Sequence, residues 1–360
     1  MRSGSGRGRV IRAIGVVSFL VCASAFCALL LASCERAKGP EVVLYTSCDD
    51  YLLREIKPLF EKETGIKLLI VGDTEATKTT GLVQRVIAEK DRPRADVWWS
   101  NEALGTLKLA EEGLLAPSTP RALKEDFGGK WPAGLSSPDG LWWGFALRAR
   151  VMVWAFRDST ISTMPQSLEY LTYPHWKGRV GMARPQFGTT RGHMAWLLAS
   201  SGEEAFRAWL TGLRQNGVRL YDGNSAVVRA VAQGDIDLGL TDSDDVISGK
   251  REKWDIYMNF GFSGPANQLP TGTLPIPNTA GLVKGGPHPK EAAVLLDFIL
   301  SERMETLLAE SESRNVPIRE KLAAKVREAL KMPVMEIPDF ASIHKAVPAA
   351  MKACTEILGE

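Results

Sequence analysis

The chain has 360 residues, 45% of them hydrophobic and 24% charged, so it can bury a large core and is neither disordered nor collagenous. At roughly 150 residues per domain the length points to about two domains. The net charge of +2 is uneven: the first 34 residues hold Arg2, Arg7, Arg9 and Arg12 and no acid, leaving 40 bases against 42 acids in the rest. The body therefore lacks the basic surplus that a phosphate backbone demands, and nucleic acid is not an expected partner.

The arginines precede an apolar run over residues 13–32, the pattern of a secretory signal and not of a folded element. The run ends in Leu31-Ala32-Ser33-Cys34, which resembles a bacterial lipobox and implies a lipoprotein signal peptide over 1–34 with Cys34 lipidated as the mature N-terminus. An uncleaved anchor is the alternative, since about 20 apolar residues span a bilayer. Both readings put the body at the periplasmic or extracytoplasmic face of a membrane. Beyond Cys34 only Cys48 and Cys354 remain; that compartment permits a disulfide between them, and two separate thiols fit the sequence equally well.

After a polar linker, residues 41–47 have strand composition, and Leu52, Leu53, Ile56, Leu59 and Phe60 follow at helical spacing until Gly65. A second strand at 66–71, a helix through Leu82, Val83, Val86 and Ile87, a third strand at 95–99 and a helix ending near Gly113 continue the alternation. A turn-rich, Trp-containing stretch covers 117–144, and 145–156 reads as a long strand or crossover. The alternation then resumes: a strand at 178–183, a helix through 193–199, a helix at 225–233, a strand at 235–241 running into an acidic loop, an extended stretch at 274–284, and one amphipathic helix over 289–311. Strands alternating with helices predict parallel α/β sheets, whose ligands sit beyond the carboxyl ends of the strands. The stretches to inspect are accordingly 46–50, 72–77 and 100–102.

Three acids, Asp242, Asp244 and Asp245, follow the strand at 235–241, with Asp49 and Asp50 after the first strand and Glu102 after the third. Brought to one cleft, such carboxylates suit a hard metal ion or an amine cation. A solvated turn with helix-capping aspartates explains the triplet equally well, and its spacing is not that of an EF-hand. Asn224 and Thr189-Thr190 stand at expected helix N-termini, where an anion can bind or where ordinary capping suffices. One member of each pair Trp98-Trp99 and Trp142-Trp143 could line a cleft, although most tryptophans belong in the core. No G-x-G-x-x-G, Walker A, H-E-x-x-H or G-x-S-x-G occurs, and the four histidines stand at no metal-ligand spacing. A non-enzymatic protein is expected.

From about Val42 to Arg319 the chain resembles the extracytoplasmic solute-binding proteins of ABC importers, in the branch of the ferric-iron-binding proteins. The resemblance is carried by LYTSCDD, FEKETGIK, RADVWWSNE, GNSAVVRAVAQGDIDLGLTDSDD, LPIPNTAGLVKGGPHPKEAAVLLDFILS and NVPIR, in this order and spacing. It implies two α/β lobes with central mixed sheets joined by crossover strands, of the type II periplasmic binding protein kind. The implied division is lobe 1 from 41–144 plus 275–335, lobe 2 from 145–274, and a C-terminal helical segment at 336–360. The implied ligand set is Ser47, Asp49, Asp50, Asn101, Glu102, Gly188, Thr189, Thr190, Asn224, Asp242, Asp244 and Asp245. Within it Asp49, Glu102, Asp244 and Asp245 would hold a metal, and Asn224 with the loop Gly188 to Thr190 an accompanying anion.

Ferric members of that branch carry adjacent tyrosines where this chain has Asp244-Asp245, which keeps oxygen donors and lowers selectivity for ferric ion. The resemblance thus implies a monomeric, lipid-tethered receptor that captures a small ligand, a metal ion such as iron, and delivers it to an ABC-importer permease, with no resident cofactor. An organic cation or zwitterion of polyamine, thiamine or aminophosphonate type is the alternative ligand. A secreted metal-dependent hydrolase is the rival class, disfavoured by the missing base and nucleophile motifs.

Overall fold

The computed structural model of the protein describes residues 39–73, 80–156, 166–260 and 269–359. The expected signal segment with Cys34 lies outside them, as do residues 74–77 of the stretch after the second strand. The chain begins with β1 (Glu41–Thr46), α1 (Asp50–Thr64), β2 (Lys67–Gly72), α2 (Thr80–Ala88), β3 (Val97–Ser100) and α3 (Ala103–Glu111). β3 is buried along its whole length and β1 nearly so, as strands covered on both faces by helices must be. Gly65 ends α1 at φ +69°, its amide donating to the Glu61 carbonyl at 3.0 Å. A side chain at this left-handed position would be strained, so the glycine makes the stop sharp.

β4 (Leu115–Ala116), the short α4 (Arg121–Glu125) and the long β5 (Trp143–Trp154) follow. The second alternation is β6 (Val180–Ala183), α5 (Gly188–Gln215), β7 (Arg219–Tyr221), α6 (Asn224–Gln233), β8 (Leu238–Asp242), α7 (Ser243–Arg251) and β9 (Tyr257–Asn259). β10 (Pro275–Val283), α8 (Pro289–Ile299), α9 (Glu302–Glu310), α10 (Glu320–Leu330) and α11 (Phe340–Leu358) complete the chain. The strands run in the order β2-β1-β3-β10-β5-β8-β6-β7, with β4 beside β10 and β9 beside β5. β1 and β3 are parallel, as are β8, β6 and β7, while β10 and β5 are antiparallel to their neighbours.

β5 belongs to both groups of parallel strands. Residues 143–149 pair with β10, and residues 150–154 pair with β8. The expected crossover at 145–156 is this strand, and the expected lobe boundaries at 144/145 and 274/275 fall on β5 and just before β10. Phe145 lies opposite Asn278 and Leu147 opposite Pro277, so Ala146 is an extra residue, a bulge at φ +42°. Its amide donates to Glu305 Oε1 (3.2 Å) and its carbonyl accepts from Asn278 Nδ2 (2.6 Å), which leaves both backbone groups satisfied.

A glycine on β8 lets α6 lie against the second group of strands. Gly181 and Gly239 are partners on β6 and β8, and a β-carbon on Gly239 would come within 2.4 Å of Val227 Cγ1. The C-terminal helix α11 packs along α5 and also reaches α3, with Arg207 paired to Glu356 at 2.7 Å.

Three expectations change. The helix expected over 289–311 is two helices, because Ser301 interrupts α8 and caps α9 by accepting from the Met304 amide at 3.2 Å. The acidic loop after β8 is the first turn of α7. Neither tryptophan pair reaches a cleft: Trp98, Trp99, Trp142 and Trp143 are all buried, and the indole N–H groups of Trp98 and Trp99 are held inside by Thr106 (2.7 Å) and Asn278 (3.1 Å). Cys48 and Cys354 are separate buried thiols and not halves of one disulfide.

Candidate functional site

The carboxyl ends of β1, β3, β6 and β8 converge on a cavity of about 290 Å³, where open α/β sheets bind ligands. Asp49 reaches it from the turn after β1, Asn101 from the turn after β3, and Arg148 from β5. From the other side come the start of α5 at Gly188, Thr189 and Thr190, then Asn224 at the start of α6, and Asp242, Asp244 and Asp245 at the start of α7. The three aspartates each place one carboxylate oxygen within 4.8 Å of the other two. Their position is favourable as well as crowded, because the N-terminus of a helix carries partial positive charge.

Two buried arginines on one face of β5 balance these acids. Arg148 Nη1 stands 2.7 Å from Asp244 Oδ2 and 3.6 Å from Asp242 Oδ2, and its Nη2 donates to the Asn101 carbonyl at 2.6 Å. It thus ties the turn after β3 to the start of α7. Arg150, wholly buried, donates from Nη1 to Asp242 Oδ1 at 2.6 Å. Burial raises the Asp244 carboxyl above its ordinary value; Arg148 opposes this, and Asp242 and Asp49 add to it. Arg148 is itself pushed above its ordinary value, since the pull of Asp244 and Asp242 outweighs burial, which acts the other way. One Asp244 oxygen, Oδ1, is buried without a hydrogen-bond partner, so the pair leaves an acceptor for something else.

Asp242 has a different environment. Its Oδ2 accepts from Thr189 Oγ1 (2.6 Å) and Asn224 Nδ2 (3.1 Å), while Oδ1 accepts from Arg150. Asn224 Nδ2 also donates to Thr189 Oγ1 at 2.8 Å, and Thr190 Oγ1 stands 3.4 Å from Asn224 Oδ1. The groups expected to hold an accompanying anion are therefore directed at a carboxylate of the chain itself. His193, one turn further along α5, is fully buried beside Arg150, and burial first, then the arginine, holds its imidazole well below the usual value.

Not every expected residue comes to the cavity. Glu102 is corrected: its carboxylate caps α3, accepting from the amides of Leu104 (2.6 Å) and Gly105 (2.8 Å), and it lines a separate cavity of about 140 Å³ beside Arg191 and His344. Both of its oxygens are engaged by the backbone, and burial raises its carboxyl pKa against those two hydrogen bonds. Ser47 is buried behind the wall, where its hydroxyl donates to Asn101 Oδ1 (3.0 Å) and accepts from the Asn101 amide (3.1 Å); it positions Asn101. Asp50 is exposed in the first turn of α1, away from the lining. Conversely, Arg148, Arg150, Arg184 and Tyr51 are absent from the sequence-derived set. Arg184 and Tyr51 line the cavity, and burial holds the Tyr51 phenol well above its usual pKa. Two arginines in the otherwise apolar run FALRARVMVW were a usable signal, because charges in a buried strand are costly unless paired.

The sheet order, the crossover and the polar cavity define a two-lobed binding protein of the type II periplasmic kind. Residues 44–311 match the family of bacterial extracellular solute-binding proteins, and the chain belongs to it. These are transport proteins that bind small ligands outside the cytoplasm and deliver them to a membrane permease. Among similar proteins, Iron uptake protein A1 of Synechocystis sp. is 30% identical over 281 residues, covering 75% of this chain and 74% of its own. The Fe(3+)-binding periplasmic protein of Serratia marcescens is 29% identical over 222 residues, with 59% and 62% covered. Iron-bound HitA from Pseudomonas aeruginosa superposes with a TM-score of 0.73 at 25% identity, over 87% of this chain and 99% of that one.

Proposed function

We propose that this protein is the receptor of an ABC importer that captures a metal ion, iron first among candidates, between its lobes and hands it to the permease. The observation that supports the reading is the carboxylate triad of Asp242, Asp244 and Asp245 at the start of α7, faced across one cavity by Asp49. Oxygen donors suit hard cations, and the relatives are named for iron. Asp49, Asp244 and Asp245 are the residues we assign to the cation; Glu102, engaged as a helix cap, is left out of that set. The ion is cargo, released to the permease, and the protein acts on it by binding alone.

Changing Asp244 and Asp245 together to Asn removes two charges at nearly constant volume. Calorimetry with ferrous chloride under anoxic conditions and with ferric nitrilotriacetate should show loss of uptake in the double variant. Undiminished binding would refute the assignment. We further propose that the receptor is a monomer tethered by lipid at Cys34, on the sequence Leu31-Ala32-Ser33-Cys34 after its apolar run. Fatty-acid labelling that persists unchanged in Cys34→Ala would rule the tether out.

A further inference from the structure

Asp242 sits where a bound anion would have to sit. Its two oxygens take the hydroxyl proton of Thr189 at 2.6 Å, one amide proton of Asn224 at 3.1 Å and a guanidinium proton of Arg150 at 2.6 Å. A primary amide has two protons to give. The other one of Asn224 goes to Thr189 Oγ1 at 2.8 Å, and that oxygen also receives Arg150 Nη1 at 3.2 Å. The side-chain donors of Thr189 and Asn224 are thus all committed. The carboxylate that takes them is 1% exposed, and a second anion brought to the same donors would meet it as a like charge without water between them.

We infer that Asp242 is the site's own counter-anion, so that the protein captures its cation without an accompanying phosphate, carbonate or carboxylate from solution. The inference rests on the cation-capture reading above and deepens it. It replaces the expectation of a metal ion bound together with an anion at Asn224 and Thr189-Thr190. The internal carboxylate is covalently part of β8 and is already ordered by Arg150, so no second solute has to be collected before the cleft closes. Arg150 and Arg148 keep the triad from being an unbalanced buried charge in the meantime.

The test uses the whole mature protein in two arms. In the first, ferrous chloride is titrated under anoxic conditions in a buffer free of phosphate and carbonate, and again with inorganic phosphate or bicarbonate added. The native protein should change its affinity by less than about twofold, whereas Asp242→Asn should lose about tenfold or more without anion and regain most of it with phosphate. A native affinity that rises tenfold with either anion overturns the inference, and so does an Asp242→Asn protein whose binding matches the native in the anion-free buffer. In the second arm inorganic phosphate alone is titrated into the native protein. Absence of binding upholds the inference, and binding in the cleft, reported by protection of Arg184 from a dicarbonyl reagent, overturns it. A native protein that takes up ferrous ion in neither buffer would sink the cation reading, while the phosphate arm would still decide the role of Asp242 and needs no variant to fold.

Discussion

Replacing Arg148 by Met removes the guanidinium and keeps an unbranched stem, and its effects on stability and on cation binding should run in opposite directions. Arg148 is 6% exposed, with Nη1 at 2.7 Å from Asp244 and Nη2 at 2.6 Å from the Asn101 carbonyl. Removing one partner of a buried ion pair costs about 3–5 kcal/mol, because the other charge stays buried and unpaired. Asp244 has an escape, since burial already raises its carboxyl; without the arginine it takes up a proton. A carboxyl whose folded pKa lies above its unfolded value of about 3.9 favours the fold most below that value and loses this contribution as pH rises through the folded pKa. The deficit of Arg148→Met should therefore be smaller at pH 5 than at pH 8. For a cation the sign reverses: at about 4 Å and an effective dielectric of about 20, a guanidinium repels each unit of positive charge by ~4 kcal/mol. Water and movement of the side chain reduce that figure, so we expect at least ~1.4 kcal/mol, about tenfold in affinity. Urea midpoints at the two pH values and calorimetry with ferrous chloride measure both. An unchanged midpoint at pH 8, or weaker uptake of ferrous ion, would show that Arg148 is not the resident counter-cation of Asp244.

Two further expectations concern the scaffold. His193 is held neutral by burial and Arg150; with its folded pKa below the unfolded value of about 6.5, stability should fall as pH drops below ~6.5, by up to ~1.4 kcal/mol per unit. Urea unfolding from pH 7 to 5 should show a steeper loss for the native protein than for His193→Gln, and equal slopes would contradict the assignment. Gly239→Ala puts a methyl group 2.4 Å from Val227 Cγ1, overpacking that costs about 1–3 kcal/mol; a thermal midpoint equal to the native one would mean that α6 does not lie against β8 as described.

The fold was legible because its signals are local. Gly65 and Gly113 take left-handed conformations where the first and third helices were expected to stop, and the alternation of β-branched runs with 3.6-residue periodicity survives almost element by element from Glu41 to Thr241. Where it failed, at 289–311, the apolar period continues straight through a break made by one serine cap, and periodicity is blind to a cap that keeps the same face buried. The site was legible by position and not by role. That the ends of β1, β3 and β8 face one cavity follows from sheet topology, which is why Asp49, Asn101 and the triad were found. The arginines that balance two of these acids come from far along the chain: Arg148 lies 96 residues from Asp244 and Arg150 lies 92 from Asp242. In sequence those arginines are an interruption in a strand, and the acids a turn or a cap. Only the pairing of β5 with β8, which sets Arg150 opposite Asp242, turns the two into one charge-balanced centre. Thr189 and Asn224, at the starts of α5 and α6, donate to that same Asp242, so the donors expected to hold an anion are taken by a carboxylate the chain supplies itself.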